Sequence, residues 1–135
     1  MKKGIEIKTN GRVIEVKIDG LKDMQKTVDG NIECTLTGKT SDDEGWDLWA
    51  NEEGRLLELP MNQVARVFIA EVKQIPIQNV LSLHGDFLLL GSDYNTGETT
   101  SCPQEIADIA LSMDMFSEPM VVLTDDEGNK KVMTR

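Results

Sequence analysis

The sequence predicts an α+β fold, in which an antiparallel β-sheet opened by an N-terminal hairpin carries two or three short helices. Three observations predict it: apolar residues alternate on both sides of Asn10-Gly11, they recur at helical spacing in short segments, and one short run is apolar on both faces. A length of 135 residues, of which 39% are hydrophobic, suits one core. We therefore expect residues 1–135 to form a single domain.

The N-terminal hairpin has the clearest local signal. Alternating segments at 5–9 and 12–18 flank Asn10-Gly11, a pair that favours a type I′ turn because both turn positions need positive φ. In the second strand, one face is expected to carry Ile14, Val16 and Ile18.

A short helix and a third strand are predicted next. Residues 21–28 show helical spacing, with Asp19 as the N-cap and Gly30 as the left-handed end. The following strand, 31–37, is expected to bury Cys34. It should place on one side Ile32, Cys34 and Leu36.

The middle of the chain is predicted to hold two strand segments and a helix. The segments 46–50 and 55–59 flank the turn 51–54, whose glycine is expected to take positive φ. Asn62 is a predicted N-cap for a helix over 63–70. The inward side chains of that helix should be Val64, Val67 and Phe68.

The C-terminal part is predicted as strand, loop, helix and hairpin. Residues 87–90 are apolar on both faces and so indicate a central strand. A polar loop at 91–100 leads into a capping box at 101–104 and a helix whose apolar face runs from Ile106 to Met113. Residues 119–134 are expected to form a closing hairpin around a turn at 125–129.

The distribution of charge disfavours one class of function. Residues 1–30 hold seven Lys/Arg and five Asp/Glu, whereas the remainder holds seven and nineteen, for a net charge of −10. Such a surface is a poor partner for a phosphate backbone, so we expect no direct nucleic-acid binding. Two interpretations stay open: the charge serves solubility, or it presents carboxylates as a decoy to a nucleic-acid-binding enzyme.

The expected location is the cytoplasm. No apolar run approaches a membrane span, and Glu6 and Lys8 interrupt any signal-peptide stretch. Two cysteines, Cys34 and Cys102, are too few for a metal cluster and are expected as free thiols.

No catalytic or metal site is predicted. His84 is the only histidine, and one imidazole without an evident partner makes no catalytic site. The carboxylates of 42–47 and 51–53 lack EF-hand spacing, and carboxylate-rich turns are common. We therefore expect a protein without enzymatic activity, metal or cofactor.

Two groups of side chains are candidate ligand contacts. The loop 91–101 precedes a predicted helix N-terminus, where backbone N–H groups suit an anion, although a plain surface loop is the alternative. Its candidates are Tyr94, Thr96, Thr99, Thr100 and Ser101. A second group lies in and around the turn 51–54, and it consists of Trp49, Asn51, Arg55, Asn62 and Arg66.

The two tryptophans are expected to have different roles. Trp46 and Trp49 are three residues apart on one strand and so should lie on opposite faces. One is predicted to join the core, and the other to offer an aromatic face to a ligand.

Three stretches resemble a known family. Residues 24–33 are similar to its helix–Gly–strand entry, residues 51–62 to its NEEG-containing signature, and residues 87–91 to its apolar strand ending in glycine. The family is the domain-of-unknown-function family 3846, which is common in phages and their bacterial hosts. The resemblance covers roughly residues 16–92, with 93–135 as a C-terminal extension, and Asp29 stands where the family usually has glycine.

The family has no established activity, so the resemblance implies only a context: a small accessory protein of a phage or mobile element. Two hypotheses follow. In the first, a homo-oligomer binds and sequesters a small nucleotide-type signal of host defence. In the second, an acidic inhibitor docks on a host defence protein, as a nucleic-acid mimic in one form of the hypothesis. Neither requires a membrane.

Overall fold

The computed structural model describes residues 1–115, 120–124 and 130–134, the last two ranges as backbone only. The strands are β1 (Lys2–Ile7), β2 (Val13–Ile18), β3 (Ile32–Lys39), β4 (Gly45–Asn51), β5 (Phe87–Ser92), β6 (Thr99–Thr100), β7 (Met120–Thr124) and β8 (Lys130–Thr134). The helices are α1 (Leu21–Val28), α2 (Gln63–Lys73) and α3 (Gln104–Leu111), with one 3₁₀ turn at Ile77–Asn79. No helix in these ranges is long and apolar enough to cross a membrane.

The main sheet is antiparallel throughout and has the order β2-β1-β5-β4-β3, with β6 paired to the end of β5. This arrangement confirms the predicted α+β class, the opening hairpin and the central position of the 87–90 strand. β7 and β8 form a separate antiparallel pair, as the closing hairpin requires. The predicted turn of that hairpin, 125–129, lies outside the described residues.

The sheet buries apolar side chains on both faces. One face packs against α2 and α3, where Phe68 and Ile106 meet Trp46 and Leu89 in the larger cluster. The other face packs against α1 in a cluster of Ile18, Met24, Val28, Leu88 and Leu90. We call this second side the α1 face. The alternation within β5 therefore serves two cores at once.

The hairpin turn differs from the predicted type I′. Gly11 has φ 94°, but Asn10 has no positive φ. The Lys8 amide donates to the Arg12 carbonyl, and the Gly11 amide donates to the Lys8 carbonyl. This is the three-residue loop in which a single left-handed glycine follows an ordinary turn, so one positive φ suffices.

The ends of α1 and the course of β3 correct four predictions. Asp29, not Gly30, takes the left-handed conformation, and Asp19 does not cap the helix but donates its amide to the Asp23 carboxylate. A bulge between Cys34 and Leu36 shifts the register of β3. As a result Ile32 and Leu36 pack on opposite faces of the sheet, and Cys34 is exposed.

Residues 55–59 do not form the predicted strand. The Leu57 amide donates to the Glu53 carbonyl and the Leu59 amide to the Gly54 carbonyl, which closes one helical turn with Glu58 at φ 54°. This is the bonding of a helix C-terminus, and it leaves Leu56 exposed. Gly54 itself has no positive φ, contrary to expectation.

Of the two N-caps predicted for α2 and α3, the first is confirmed and the second is wrong. Asn62 caps α2 as predicted, because its side-chain oxygen accepts from the Ala65 amide, but Val67 is exposed. The predicted capping box of α3 is wrong: Pro103 is the N-cap, with no side-chain cap. Ser101 Oγ instead accepts from the Lys3 amide at 2.9 Å and ties the segment before α3 to β1.

Candidate functional site

The ten predicted ligand contacts lie in separate parts of the structure. Trp49 and Thr99 line one groove on the α1 face, whereas Tyr94, Thr100 and Ser101 line a polar cleft. Arg55 and Asn51 line a third, smaller cavity near His84. The structure therefore does not bring the two predicted groups together into one site.

Two of the predicted ligand contacts form hydrogen bonds within the protein instead. The Asn62 side chain is fully buried, and its nitrogen donates to the carbonyls of Ile7 and Gly85 at 2.8 and 2.9 Å. The Asn51 side chain donates to the carbonyls of Val28 and Asp29 and accepts from the amide of Glu53. These polar groups are used within the protein, so neither side chain is available to a ligand in this arrangement.

Both predicted arginines hold backbone carbonyls. Arg55 donates to the carbonyl and hydroxyl of Ser82. Arg66 donates to the carbonyls of Ile77 and Val80, which fixes the 3₁₀ turn against α2. Arg55 is exposed and Arg66 half-buried, and both link distant segments of the chain.

The polar cleft lies between the 40–44 loop and the β5–β6 turn and has a volume of about 360 Å³. Tyr94 donates its hydroxyl to the Gly38 carbonyl, and Lys39 Nζ lies 5.4 Å from the centre of the Tyr94 ring. Lys39 also pairs with Asp43 at 3.4 Å. With Glu44 and Asp93 in the lining, carboxylates outnumber ammonium groups three to one, so the cleft disfavours an anion.

Thr96 lies at the tip of the β5–β6 turn. Its hydroxyl accepts from the Glu98 amide at 3.2 Å, which is a local turn contact. Thr96 lines neither the cleft nor the groove.

The Trp49 groove is the most apolar of the concavities described. It has a volume of about 580 Å³ and lies between α1, the ends of β1 and β2, and β6. Its lining consists of Lys2, Ile18, Gly20, Leu21, Met24, Ile32, Trp49, Glu98 and Thr99. Trp49 is half-buried there. Trp46 is buried in the other cluster, where the centres of the Trp46 and Phe68 rings are 5.8 Å apart. The prediction that the tryptophans lie on opposite faces is thus confirmed.

The start of α1 suits a polar group on an otherwise apolar ligand. Gly20 is the N-cap of α1 and offers no side-chain cap, so the first amides of the helix keep their partial positive charge. Lys2 adds one ammonium group and Glu98 one carboxylate.

Sequence reasoning missed Lys2, Gly20 and Met24 as groove residues. Their contribution depends on β1, β2 and α1 meeting over Trp49, which no local pattern encodes. The glycine before the first helix was the available signal, since a helix without a capping side chain leaves its amides open.

The His84 cavity is too small for a metabolite, with a volume of about 130 Å³ against roughly 300 Å³ or more for ligand pockets. His84 Nδ1–H donates to the Leu59 carbonyl at 2.8 Å, which fixes the tautomer. No cluster of three or more metal-binding side chains occurs among the described residues.

Both thiols have raised pKa values, and so do the carboxyls of Glu6 and Asp47 on the sheet. Burial raises the pKa of Cys102 to about 12. Partial burial, with the neighbouring Asp47 carboxylate, raises the pKa of Cys34, so its thiol stays protonated despite its exposure. Burial also raises the pKa of Asp47, and a hydrogen bond from Ser92 partly offsets that shift. Neither cysteine has the electropositive surroundings of a nucleophile.

Comparisons with known proteins identify one relationship. No curated protein and no solved structure matches the chain. The sequence profile of one family, described as Domain of unknown function (DUF3846), matches residues 1–117. This match is wider than the three stretches that first indicated the resemblance, and it includes β1, α3 and every residue of the Trp49 groove. The chain belongs to the DUF3846 family.

Proposed function

We propose that the protein is a non-enzymatic binding protein that captures a small nucleotide-type ligand in the Trp49 groove. The observation that carries this proposal is the half-buried Trp49 indole in an open, mainly apolar groove of about 580 Å³. Ligand pockets have volumes of roughly 300–1,000 Å³ and apolar walls with a few polar groups. The groove has both properties.

Each part of such a ligand has a matching group. A nucleobase would stack on the Trp49 ring, since every base has a π-face. A phosphate would lie toward the uncapped start of α1 and the Lys2 ammonium. The Thr99 hydroxyl offers a donor and an acceptor to the sugar or the base edge.

The distribution of charge supports the groove over the polar cleft. The groove lining holds one ammonium and one carboxylate, Lys2 and Glu98, whereas the cleft lining holds Lys39 against three carboxylates. On a chain of net charge −10, the groove is thus the more favourable of the two for an anion.

In biological terms, we propose an accessory protein of a phage or mobile element that sequesters a nucleotide-type signal of host defence. A binding role requires no nucleophile or general base. His84, the only imidazole, is engaged with the Leu59 carbonyl. Capture without turnover also favours a homo-oligomer, because further copies would add binding sites and enclose the ligand.

A second candidate function is inhibition of a host defence protein through an acidic surface. The observation that favours it is the exposed loop of Asp42, Asp43 and Glu44 beside the carboxylate-lined cleft. Charges in such a cluster would steer a basic partner.

Calorimetric titration with free nucleosides, nucleoside monophosphates and a cyclic dinucleotide tests the first proposal. Trp49→Leu keeps an apolar side chain but removes the stacking face, which is worth about 1–3 kcal/mol, so affinity should fall roughly 5–150-fold. Lys2→Gln should weaken the phosphate-bearing probes and leave the free nucleoside unchanged.

The matched control is the triple variant Asp42→Asn, Asp43→Asn, Glu44→Gln. It should bind every probe as the wild type does, because these side chains lie outside the groove. No binding of any nucleotide by the wild type, or equal binding by Trp49→Leu, would contradict the proposal. Loss of host-protein capture in the triple variant, with salt dependence in the wild type, would favour the inhibitor instead.

A further inference from the structure

The outer edge of β2 has unused backbone groups in a defined place. The Lys8 amide bonds to the Arg12 carbonyl, and Ile7 stands opposite Val13, so hydrogen bonding to β1 alternates from Arg12 onward. The backbone N–H and C=O groups of the even-numbered residues of β2 therefore point toward β1. Those of Val13, Glu15 and Lys17 point away from the sheet. The Val13 amide confirms this parity, because it donates to Asp114 Oδ1 at 3.1 Å and not to β1.

The unused stretch is bounded on both sides. The Val13 amide is taken by Asp114, and the Asp19 amide is taken by Asp23 Oδ2 at 2.7 Å. Between them, no group in the described part of the chain bonds the outward N–H and C=O of Glu15 and Lys17. Both side chains are exposed. Such an edge is a template for another strand.

We propose that this edge pairs with β2 of a second copy of the chain, antiparallel about a twofold axis at Val16. Glu15 then stands opposite Lys17 of the second copy, and Lys17 opposite its Glu15. Each couple is a hydrogen-bonded pair, so the outward backbone groups of both residues find partners. The opposite charges meet directly across the two strands, which is the favourable arrangement.

Charge selects this register over its neighbours. Only registers that align outward-facing residues form hydrogen bonds, so the next possibilities are shifts by two residues. One shift sets Glu15 against Glu15, and the other sets Lys17 against Lys17. Like charges directly opposite are destabilising.

The same pairing joins apolar side chains on the α1 face. Ile14 and Val16 are half-buried in one copy. In the pair, Val16 meets Val16, and Ile14 stands opposite Ile18 of the second copy, at the shorter Cα spacing of about 4.5 Å. Since Ile18 lines the Trp49 groove, the second copy would extend the groove wall. The pairing rests on β2 alone and not on the proposed ligand.

Sedimentation equilibrium over a range of concentrations tests the proposal, at roughly physiological ionic strength so that the net charge of −10 on each copy is screened. The wild type should dimerise. Glu15→Lys and Lys17→Glu should each weaken dimerisation about tenfold or more, because each sets like charges opposite at both pairs. An equimolar mixture of the two variants should recover the dimer, since every pair across the mixed interface is then of opposite charge.

The matched control is Glu33→Lys on β3, the other edge strand, which makes the same charge change on an exposed residue and should leave the dimer intact. Recovery by mixing also excludes misfolding as the cause of dissociation, and circular dichroism of each variant checks this separately. A monomeric wild type at every concentration would overturn the proposal. So would a dimer that is unaffected by either single variant, or a mixture that stays monomeric. None of these readouts depends on nucleotide binding.

Discussion

A single amide side chain, that of Asn62, joins three segments of the chain. Its oxygen caps α2 through the Ala65 amide, and its nitrogen donates to the carbonyls of Ile7 at the end of β1 and Gly85 before β5. All these groups are buried in the protein interior. Removing the side chain therefore leaves several backbone groups without partners at once.

We predict that Asn62→Ala lowers the free energy of unfolding by about 2–4 kcal/mol. Loss of the cap contributes about 1 kcal/mol, and the stranded buried carbonyls contribute about 1–3 kcal/mol. Urea denaturation measures the change. Asn62→Asp is the informative companion, because it keeps the capping oxygen but loses the donor, and it should be no more stable than Asn62→Ala. Unfolding within 0.5 kcal/mol of wild type, a difference typical of neutral surface substitutions, would contradict this role.

Asn62 also shows which contacts of a single residue can be predicted from the sequence and which cannot. Its position before an apolar helical repeat predicted the cap correctly, because capping is local. Its two other contacts come from Ile7 and Gly85, far away in the chain, and these leave no side-chain group for a ligand. The placement of Trp46 and Trp49 on opposite faces was predicted correctly for the converse reason, since strand alternation alone decides it.

At the scale of elements, the Asn51–Gly54 turn is held by close packing and not by backbone conformation. A Cβ on Gly54 would lie 2.7 Å from the His84 carbonyl oxygen, and φ at this residue is not positive. Gly97 is the opposite case, with φ 75° and no neighbouring atom within 4 Å of an added Cβ. The two glycines therefore respond differently to substitution.

We predict that Gly54→Ala costs about 1–3 kcal/mol of stability, since a backbone atom must move. Gly54→Asn should be no better, because the limit is space. At Gly97, asparagine should be tolerated better than alanine, because asparagine accepts the left-handed region more readily. Thermal unfolding of the four variants decides the matter, and a rescue of Gly54→Ala by asparagine would contradict the packing explanation.

The helices and strands were predictable where the apolar pattern was continuous or occurred on both sides of a turn. The alternation around Gly11 located the opening hairpin, and the run Phe87–Leu90 located the central strand. The bulge in β3 and the helical turn at 55–59 were not, because both depend on packing that competes with local propensity. Asp29 shows the same limit: an aspartate occupies the left-handed end of α1, one residue before the expected glycine.

At the scale of the whole molecule, the sheet separates two apolar clusters, which pack against different helices. Leu89 belongs to the larger cluster beneath α2 and α3, and Leu88 belongs to the cluster beneath α1. Both side chains are fully buried, and they are adjacent in the chain. Leu88 stands directly opposite Trp49 across the β4–β5 ladder, whereas Leu89 stands opposite Leu48. The two leucines thus form a matched pair on opposite faces.

We predict that Leu88→Ala and Leu89→Ala each lower the free energy of unfolding by about 2–5 kcal/mol, because each leaves a cavity in a packed cluster. Only Leu88→Ala should also weaken nucleotide capture, since the cavity lies beside the ring proposed to hold the base. Titrations of both variants, at a temperature where each is folded, compare their affinities with the wild type. Equal loss of affinity in both would show that binding depends on global stability, and loss in Leu89→Ala alone would move the site to the other face of the sheet.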